Sequence, residues 1–244
     1  MNAVIQALRY TRPVLTALLS RPSKSRFVTE FENLLFQPGV SGSDNRALLF
    51  LLDNLSELSM DACLEHDAHE FLLKIMDKLF EGSANPMCGQ LTTTLACVCG
   101  HTSKNAQRCL VLSIDGSRGV VSGVQQCFEP ETVTVRCERC DQTEMESTTE
   151  YTANSVLVLH LQRFDASTYV KRNYEIMLLE KIKLCGRMWT LVAMVNHYGG
   201  TASGHYTTTA RTQQGWCLFN DEVVECVDNL PTSTLPYILF YVAT

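Results

Sequence analysis

The chain reads as an α+β protein with its helices first and its strands second, and three observations carry that reading. Apolar residues in the first third recur at spacings of three and four, the period of helices that bury one face. After Pro86 the period changes: Thr132-Val133-Thr134-Val135 alternates, and the later apolar runs are rich in β-branched and aromatic residues. The two kinds of stretch do not alternate with each other, which argues against a parallel sheet built from βαβ units.

Each element has a local reason. Val4, Ile5, Leu8, Leu15, Leu18 and Leu19 predict a first helical run, which Pro13 breaks or kinks because proline lacks an amide donor. Phe27, Val28, Phe31, Leu34 and Leu35 form a second stripe, stopped by Pro38-Gly39. Ser43 or Asp44 can cap a third helix running through Leu58, and Phe71, Leu72, Ile75, Met76 and Leu79 mark a fourth that ends at Gly82. Strands are expected over 156–164, 191–195, 206–210 and 237–242.

Composition narrows the function classes. The 244 residues suffice for one large domain or two small ones, and 45% hydrophobic with 19% charged residues reads as globular. A net charge of −6 argues against a nucleic-acid surface and suits a cationic ligand. No apolar run is long enough to cross a bilayer, so no membrane role is expected. Eleven cysteines, an odd number set mostly in hydrophobic stretches, point to reduced intracellular thiols and to the cytoplasm or nucleus. The first 29 residues hold no acid and five bases (Arg9, Arg12, Arg21, Lys24, Arg26), a composition that imitates a mitochondrial presequence.

Three constellations carry chemistry. In the last quarter, Gly204-His205-Tyr206 enters one strand, and Phe219-Asn220-Asp221 leaves the next after a hairpin-sized gap. This presents an imidazole beside an acceptor that can fix its tautomer, two members of a nucleophile–base–orienter set. Gly204 lets a substrate approach closely, and Tyr206 starts the strand that would hold His205 rigid. Asn220 or the adjacent Asp221 can serve as orienter; alternation along a strand should point only one of them at His205. The plainer reading is a hydrogen-bonded strand histidine with a turn-forming Asn-Asp.

Asp67, in His66-Asp67-Ala68-His69-Glu70-Phe71-Leu72, falls where a carboxylate caps the amides of the fourth helix and opposes its dipole. His69 and Glu70 are expected to pack and pair among the helices, and His197 to end a strand as a bystander. Cys137-Glu138-Arg139-Cys140 is a turn of the kind that grips zinc from one side. Upstream, Cys97-Val98-Cys99-Gly100-His101 holds a C-x-C pair, which can chelate with a bite different from C-x-x-C. His101 could serve as an imidazole ligand, and a hairpin held by ordinary packing is the alternative to bound metal.

Four blocks in order resemble the catalytic domain of the ubiquitin-specific proteases, papain-like cysteine deubiquitinases. Met1-Asn2-Ala3-Val4-Ile5-Gln6-Ala7-Leu8 is similar to the downstream part of the Cys box, N-x-C-[YF]-M-N-[AS]-x-[LI]-Q. His66 to Leu72 is similar to Q-Q-D-A-H-E-F-L, Val156 to Phe164 to L-x-[LIV]-H-L-x-R-F, and Gly204 to Asp221 to the His box. The Cys-box likeness accounts for the basic start of the chain better than a presequence does.

The resemblance implies a papain-like fold of the ubiquitin-specific protease type: a helical thumb (1–86), zinc-ribbon-like fingers (87–152) and an antiparallel β palm (153–244) in a single domain. It implies hydrolysis after the C-terminal Gly-Gly of ubiquitin, with His205 shuttling the proton. Asn220, which follows Phe219 at the family's third-triad position, would orient it, Asp221 being the adjacent alternative. Asp67, His66, Gly204 and Tyr206 would line the channel for the ubiquitin tail, and His66 stands where the family has glutamine. The resemblance also makes the upstream C-x-C the partner knuckle, where the family pattern is C-x-x-C-G and Ala96 stands in the first ligand's place. Cys97, Cys99, Cys137 and Cys140 would then hold a structural zinc, with no catalytic cofactor. Ubiquitin or a ubiquitinated protein is the implied partner, neither nucleic acid nor membrane is, and the chain is expected to act as a monomer.

In the Cys-box pattern the nucleophile lies two positions before Met-Asn, which precedes residue 1 in this numbering. Two readings stay open beside each other: a deubiquitinase whose thiol lies upstream of Met1, and a pseudoprotease that binds ubiquitin or a ubiquitin-like protein. Moving the attack to Cys63, a few residues before another helix, would require rebuilding the cleft.

Overall fold

The computed structural model describes residues 1–36, 46–61, 66–164, 170–200, 203–221, 223–231 and 235–244, with only the backbone at 46–48. The Pro38-Gly39 stop, the Ser43 or Asp44 cap and Cys63 lie outside the described residues.

Among the described residues the thumb holds five α-helices: α1 (Asn2–Arg9), α2 (Arg12–Leu19), α3 (Arg26–Phe36), α4 (Arg46–Asn54) and α5 (Ala68–Leu79). The first apolar run breaks where Pro13 demands it, since Tyr10 and Thr11 separate α1 from α2 and Pro13 sits in the first turn of α2. The third helix ends sooner than expected: α4 stops at Asn54, and Ser56–Leu58 continue as a short 3-10 turn closed by Ser59 at φ 51. Gly82, at φ 68, turns the chain away after α5.

The fingers are a four-stranded antiparallel sheet in the order β2-β1-β5-β4, from β1 (Gly89–Ala96), β2 (Thr102–Cys109), β4 (Glu131–Val133) and β5 (Met145–Thr152). The palm sheet runs β11-β10-β9-β8-β12-β6-β3, with β7 paired to β8. Its strands are β3 (Leu112–Ile114), β6 (Val156–Leu161), β7 (Lys181–Leu184), β8 (Arg187–Gly199), β9 (Gly204–Thr212), β10 (Gly215–Asn220), β11 (Val223–Val227) and β12 (Pro236–Ala243).

Two details modify the expected layout. The palm is antiparallel except where β3 pairs β6 in parallel. Residues 112–126, inside the expected finger span, lie with the palm: β3 extends its sheet, and α6 (Val120–Gln126) packs Val120 and Val124 onto it.

The palm sheet has two apolar faces. On one, Val156, Val158, Ala193, Val195, Ile238 and Phe240 meet the thumb residues Val4, Ile5, Leu8, Phe71, Leu72 and Ile75 in one core. The opposite face buries Leu157, Leu159, Leu191, Met194, Leu239, Tyr241 and Trp189 in a second cluster, which Val120 and Val124 of α6 join together with Ile176 and Ile182. Strands covered on both sides read as continuous apolar runs, which is why Val156-Leu157-Val158-Leu159 shows no polar alternation. Because the thumb is fused to the palm through this core, α1, the head of α5 and the β8–β9 edge are held in fixed register, and the candidate site lies along that seam.

The described cysteines correct one expectation. Cys217 and Cys226, directly opposite on β10 and β11, form a disulfide, whereas reduced thiols were expected. Cross-strand register set the pair, and no reading of one strand at a time exposes it.

Candidate functional site

His205 is the second residue of β9, and Asn220 the last of β10. Phe219 faces Thr208 across the hairpin, so Asn220 falls opposite position 207 and His205 is its diagonal neighbour on the same face. The side chains meet there: His205 Nε2 lies 2.6 Å from Asn220 Oδ1. That bond puts the Nε2 proton toward Asn220 and leaves Nδ1 to accept a proton from another group. Asp221 Oδ2 stands 3.7 Å from the same Nε2. Alternation was expected to keep Asp221 away, but the strand has ended and Asp221 has φ 50, so its carboxylate swings back toward the ring. The imidazole therefore has a neutral acceptor in contact and a carboxylate just beyond. Its side chain is half exposed, open to a substrate.

The start of α1 faces this edge. Thr208, on β9, donates its hydroxyl to the carbonyl of Ala3, pinning the first turn of the helix to the strand that carries His205. At the other end of α1, Tyr10 packs its ring 5.2 Å from that of Phe219, the neighbour of Asn220. The Met1 amine is buried, which lowers its pKa, while the charge of Asp67 opposes that shift.

Asp67 works on both sides of the seam. Its Oδ1 accepts the amides of His69 (2.8 Å) and Glu70 (3.1 Å), the helix cap read from the sequence. Its Oδ2 accepts the hydroxyls of Tyr206 on β9 (3.2 Å) and Tyr237 on β12 (2.6 Å). One carboxylate thus closes the thumb helix and ties it to two palm strands. Burial, and then the Asp67 charge, raise the pKa of Tyr237 and keep its phenol a donor.

Histidines and aromatics fill the floor around that carboxylate. His69 stacks on His160 of β6 at 4.1 Å and 8°, and His160 meets Tyr237 edge-on at 4.7 Å. His69 therefore packs against the palm, where packing within the thumb was expected; Glu70 does pair within the thumb, with Lys74 at 2.8 Å. Burial, with His69 beside it, holds His160 down to about 4. His197 is buried as well, and burial followed by the nearby Lys171 cation holds it at about 4. Its Nε2 fills the space a side chain at position 204 would need. Gly204 is glycine because of His197, a reason distinct from the substrate approach read from the sequence, and His197 is more than a strand end.

Of the expected tail residues, Asp67, Gly204 and Tyr206 come together. His66 turns aside: its Nε2 lies 2.7 Å from the carbonyl of Asp61, and its Nδ1 is 4.0 Å from Glu70. The sequence around Tyr237 hides its role, since Pro236-Tyr237-Ile238-Leu239-Phe240-Tyr241 reads as a uniform apolar strand.

At the fingertip, the sulfurs of Cys97, Cys99, Cys137 and Cys140 lie within 4.8 Å of one another. Two separations are 3.5 Å (Cys97 to Cys140) and 3.8 Å (Cys99 to Cys137). A tetrahedral zinc about 2.3 Å from each thiolate sets its sulfurs roughly 3.8 Å apart, so the cluster has the size of that ion. The C-x-C half works because Gly100, at φ 82, folds the chain back and the Cys97 amide bonds the carbonyl of His101. The Arg139 amide, 3.4 Å from Cys137 Sγ, chiefly draws that thiol down, while its sulfur neighbours push Cys140 up. The four thiols therefore share their protons unevenly, and the support for a metal here is the geometry. The set closes with four cysteines and without His101.

A family model described as ubiquitin carboxyl-terminal hydrolase matches residues 1–241. Ubiquitin carboxyl-terminal hydrolase 21 of Homo sapiens is 32% identical over 182 residues, covering 63% of this chain and 32% of that protein. Ubiquitin carboxyl-terminal hydrolase 19 of Homo sapiens is 32% identical over 111 residues, covering 36% of this chain and 8% of that protein. The chain therefore spans about a third or less of the length of these curated relatives. Among solved structures, a chain of the SAGA DUB module Ubp8/Sgf11/Sus1/Sgf73 bound to monoubiquitin matches with a TM-score of 0.83 at 21% identity, covering 100% of this chain and 66% of that one. A yeast SAGA DUBm structure matches at 0.80 and 19%, with the same coverage. At these identities the likeness is one of fold.

Proposed function

The chain belongs to the ubiquitin carboxyl-terminal hydrolase family, and from that premise we propose that it is the acid–base and substrate-binding body of a cysteine-type deubiquitinase. The observation that carries the reading is the 2.6 Å contact of His205 with Asn220, set on the palm edge to which Thr208 pins the head of α1. A thiol two positions before Met1-Asn2 would sit at the amino end of that helix, where amides and dipole favour a thiolate.

In the proposed reaction that thiol gives its proton to His205 Nδ1, and the sulfur attacks the carbonyl of ubiquitin's last glycine. Backbone amides at the helix head hold the oxyanion. The imidazolium then protonates the leaving amine, and water, deprotonated by the same ring, releases the acyl group. Asn220 holds the tautomer throughout, and Asp221 supplies the charge that Asn220 lacks. Asp67, Tyr206 and Gly204 bind the tail, with Tyr237 holding Asp67 in place, and the net charge of −6 favours a tail that carries arginine. Zinc on Cys97, Cys99, Cys137 and Cys140 is structural, because four protein ligands leave no position for water.

The test is ubiquitin bearing a C-terminal electrophile. Residues 1–244 are expected to form no adduct, and the chain extended upstream through a Cys-[Tyr/Phe] pair is expected to form one that His205→Ala weakens. An adduct on any internal cysteine of 1–244 would show that the nucleophile has been misplaced. If the extended chain binds ubiquitin but stays unlabelled, the pseudoprotease reading stands instead.

A further inference from the structure

The hairpin between β8 and β9 carries Gly204 and His205 at its returning arm, and something must hold it where the palm sheet runs out. On its inner side β8 pairs with β12, but that pairing ends at Pro236, opposite Asn196; the amide of His197 already reaches past it to the carbonyl of Leu235. Pro236 has no N–H to offer. The carbonyls of His197 and Gly199 therefore lie beyond the reach of β12's own donors.

Lys171 takes them. Its Nζ donates to the carbonyl of His197 at 2.8 Å and to that of Gly199 at 2.9 Å. The backbone from which it reaches is itself fastened. Lys171 bridges Phe164, and the amide of Arg172 bonds the carbonyl of Arg163. The buried Arg163 guanidinium returns bonds to the carbonyls of Arg172 and Pro236. Phe164 then rests against His197 and Tyr237, at 5.7 and 6.1 Å between rings. Beyond the clamp the hairpin is tight: Gly200 donates to the carbonyl of Ser203, and Gly199, at φ 97, has Ser203's carbonyl where a side chain would be.

We propose that Lys171 is a positioning residue of the tail-binding site: among the described residues, its ammonium takes up the carbonyls beyond the end of the β8–β12 pairing and fixes the β8–β9 hairpin so that Gly204, His205 and Tyr206 meet the ubiquitin tail in register. This rests on the proposed function, deepening it by naming what aligns the site. Lys171 touches no reacting atom; it acts through the His197 and Gly199 carbonyls. Methionine keeps the length and apolar stem but cannot donate, and arginine keeps both charge and donors.

The experiment uses the 244-residue chain and two ligands, intact ubiquitin and ubiquitin lacking its C-terminal Gly-Gly. Wild type is expected to bind the intact form more tightly, and Lys171→Met to shrink that ratio about tenfold, the order of one lost charge-assisted hydrogen bond. Lys171→Arg is expected to restore most of the ratio. In the same proteins the His197 and Gly200 amides should exchange with solvent faster in Lys171→Met by a similar factor. The Cys97 and Gly100 amides at the fingertip should exchange at the wild-type rate, which separates loosening of the hairpin from unfolding. If the amides loosen but the ratio holds, Lys171 is only structural and the proposal is wrong; if neither changes, the clamp itself is wrong. If wild type does not distinguish the two ubiquitins, the proposed function has failed and the tail-site role with it, while the exchange data still decide the clamp.

Discussion

Replacing Asp67 by alanine removes four hydrogen bonds that one carboxylate makes, and the structure lets the cost be built up bond by bond. Loss of the helix cap on the His69 and Glu70 amides is worth about 1 kcal/mol. The Tyr237 hydroxyl, 2.6 Å from Oδ2 in a buried setting, loses a charged acceptor at a cost of about 1.5–3 kcal/mol. The longer Tyr206 bond, at 3.2 Å, adds about 1 kcal/mol or less. The sum is roughly 4 kcal/mol, which for a chain of this size lowers Tm by about 8–16 °C. Tyr237→Phe alone removes a donor without stranding a buried one and should cost about 1 kcal/mol. Thermal melts of the single variants and the pair form a double-mutant cycle, with an expected coupling of about 1 kcal/mol or more. Strict additivity would refute the claim that Asp67 binds thumb to palm through Tyr237, as would an Asp67→Ala melt within 2 °C of wild type.

Other consequences are equally direct. His160 and His197 are each held near 4 against an unfolded value near 6.5, so the unfolded chain binds more protons between those limits. Their neutral burial is fully stabilising above about pH 6.5 and is lost as pH falls toward 4, at up to about 3 kcal/mol each; urea midpoints from pH 7 to 4.5 should fall, and His160→Gln should flatten the slope. One zinc per chain should co-purify; a chelator, or Cys137→Ser, should release it and leave the palm's tryptophan fluorescence unchanged. Metal content near zero in the wild-type protein would contradict the four-cysteine site. Gly204→Ala should displace His197 and lower Tm by several degrees before any substrate is added; an unchanged melt would return Gly204 to a role in substrate access alone.

How much of this was legible depended on whether the signal was local. Asp67 as a cap, the break at Pro13 and the helical stripe of Phe71, Leu72, Ile75 and Met76 are written within a few residues, and the structure reproduces them. The His205–Asn220 pair was legible because a hairpin makes fifteen residues of separation into one diagonal contact. Asp221's approach was not, since a left-handed residue at the strand's end overrode the alternation that should have turned it outward. Tyr237, His160 and Lys171 serve the site from strands and loops far along the chain, and each has a sufficient local explanation as core or surface. The Cys217–Cys226 disulfide was hidden for the same reason: it is a property of register, and register is settled by tertiary packing.

The central claim is that His205, held by Asn220, moves the proton for a thiol at the head of α1. Hydrolysis of a fluorogenic ubiquitin C-terminal amide by the upstream-extended chain tests it most directly. The expected kcat loss is about 100- to 10,000-fold for His205→Ala and smaller for Asn220→Ala, with ubiquitin affinity unchanged in both. A His205→Ala enzyme that turns over at the wild-type rate would contradict the account.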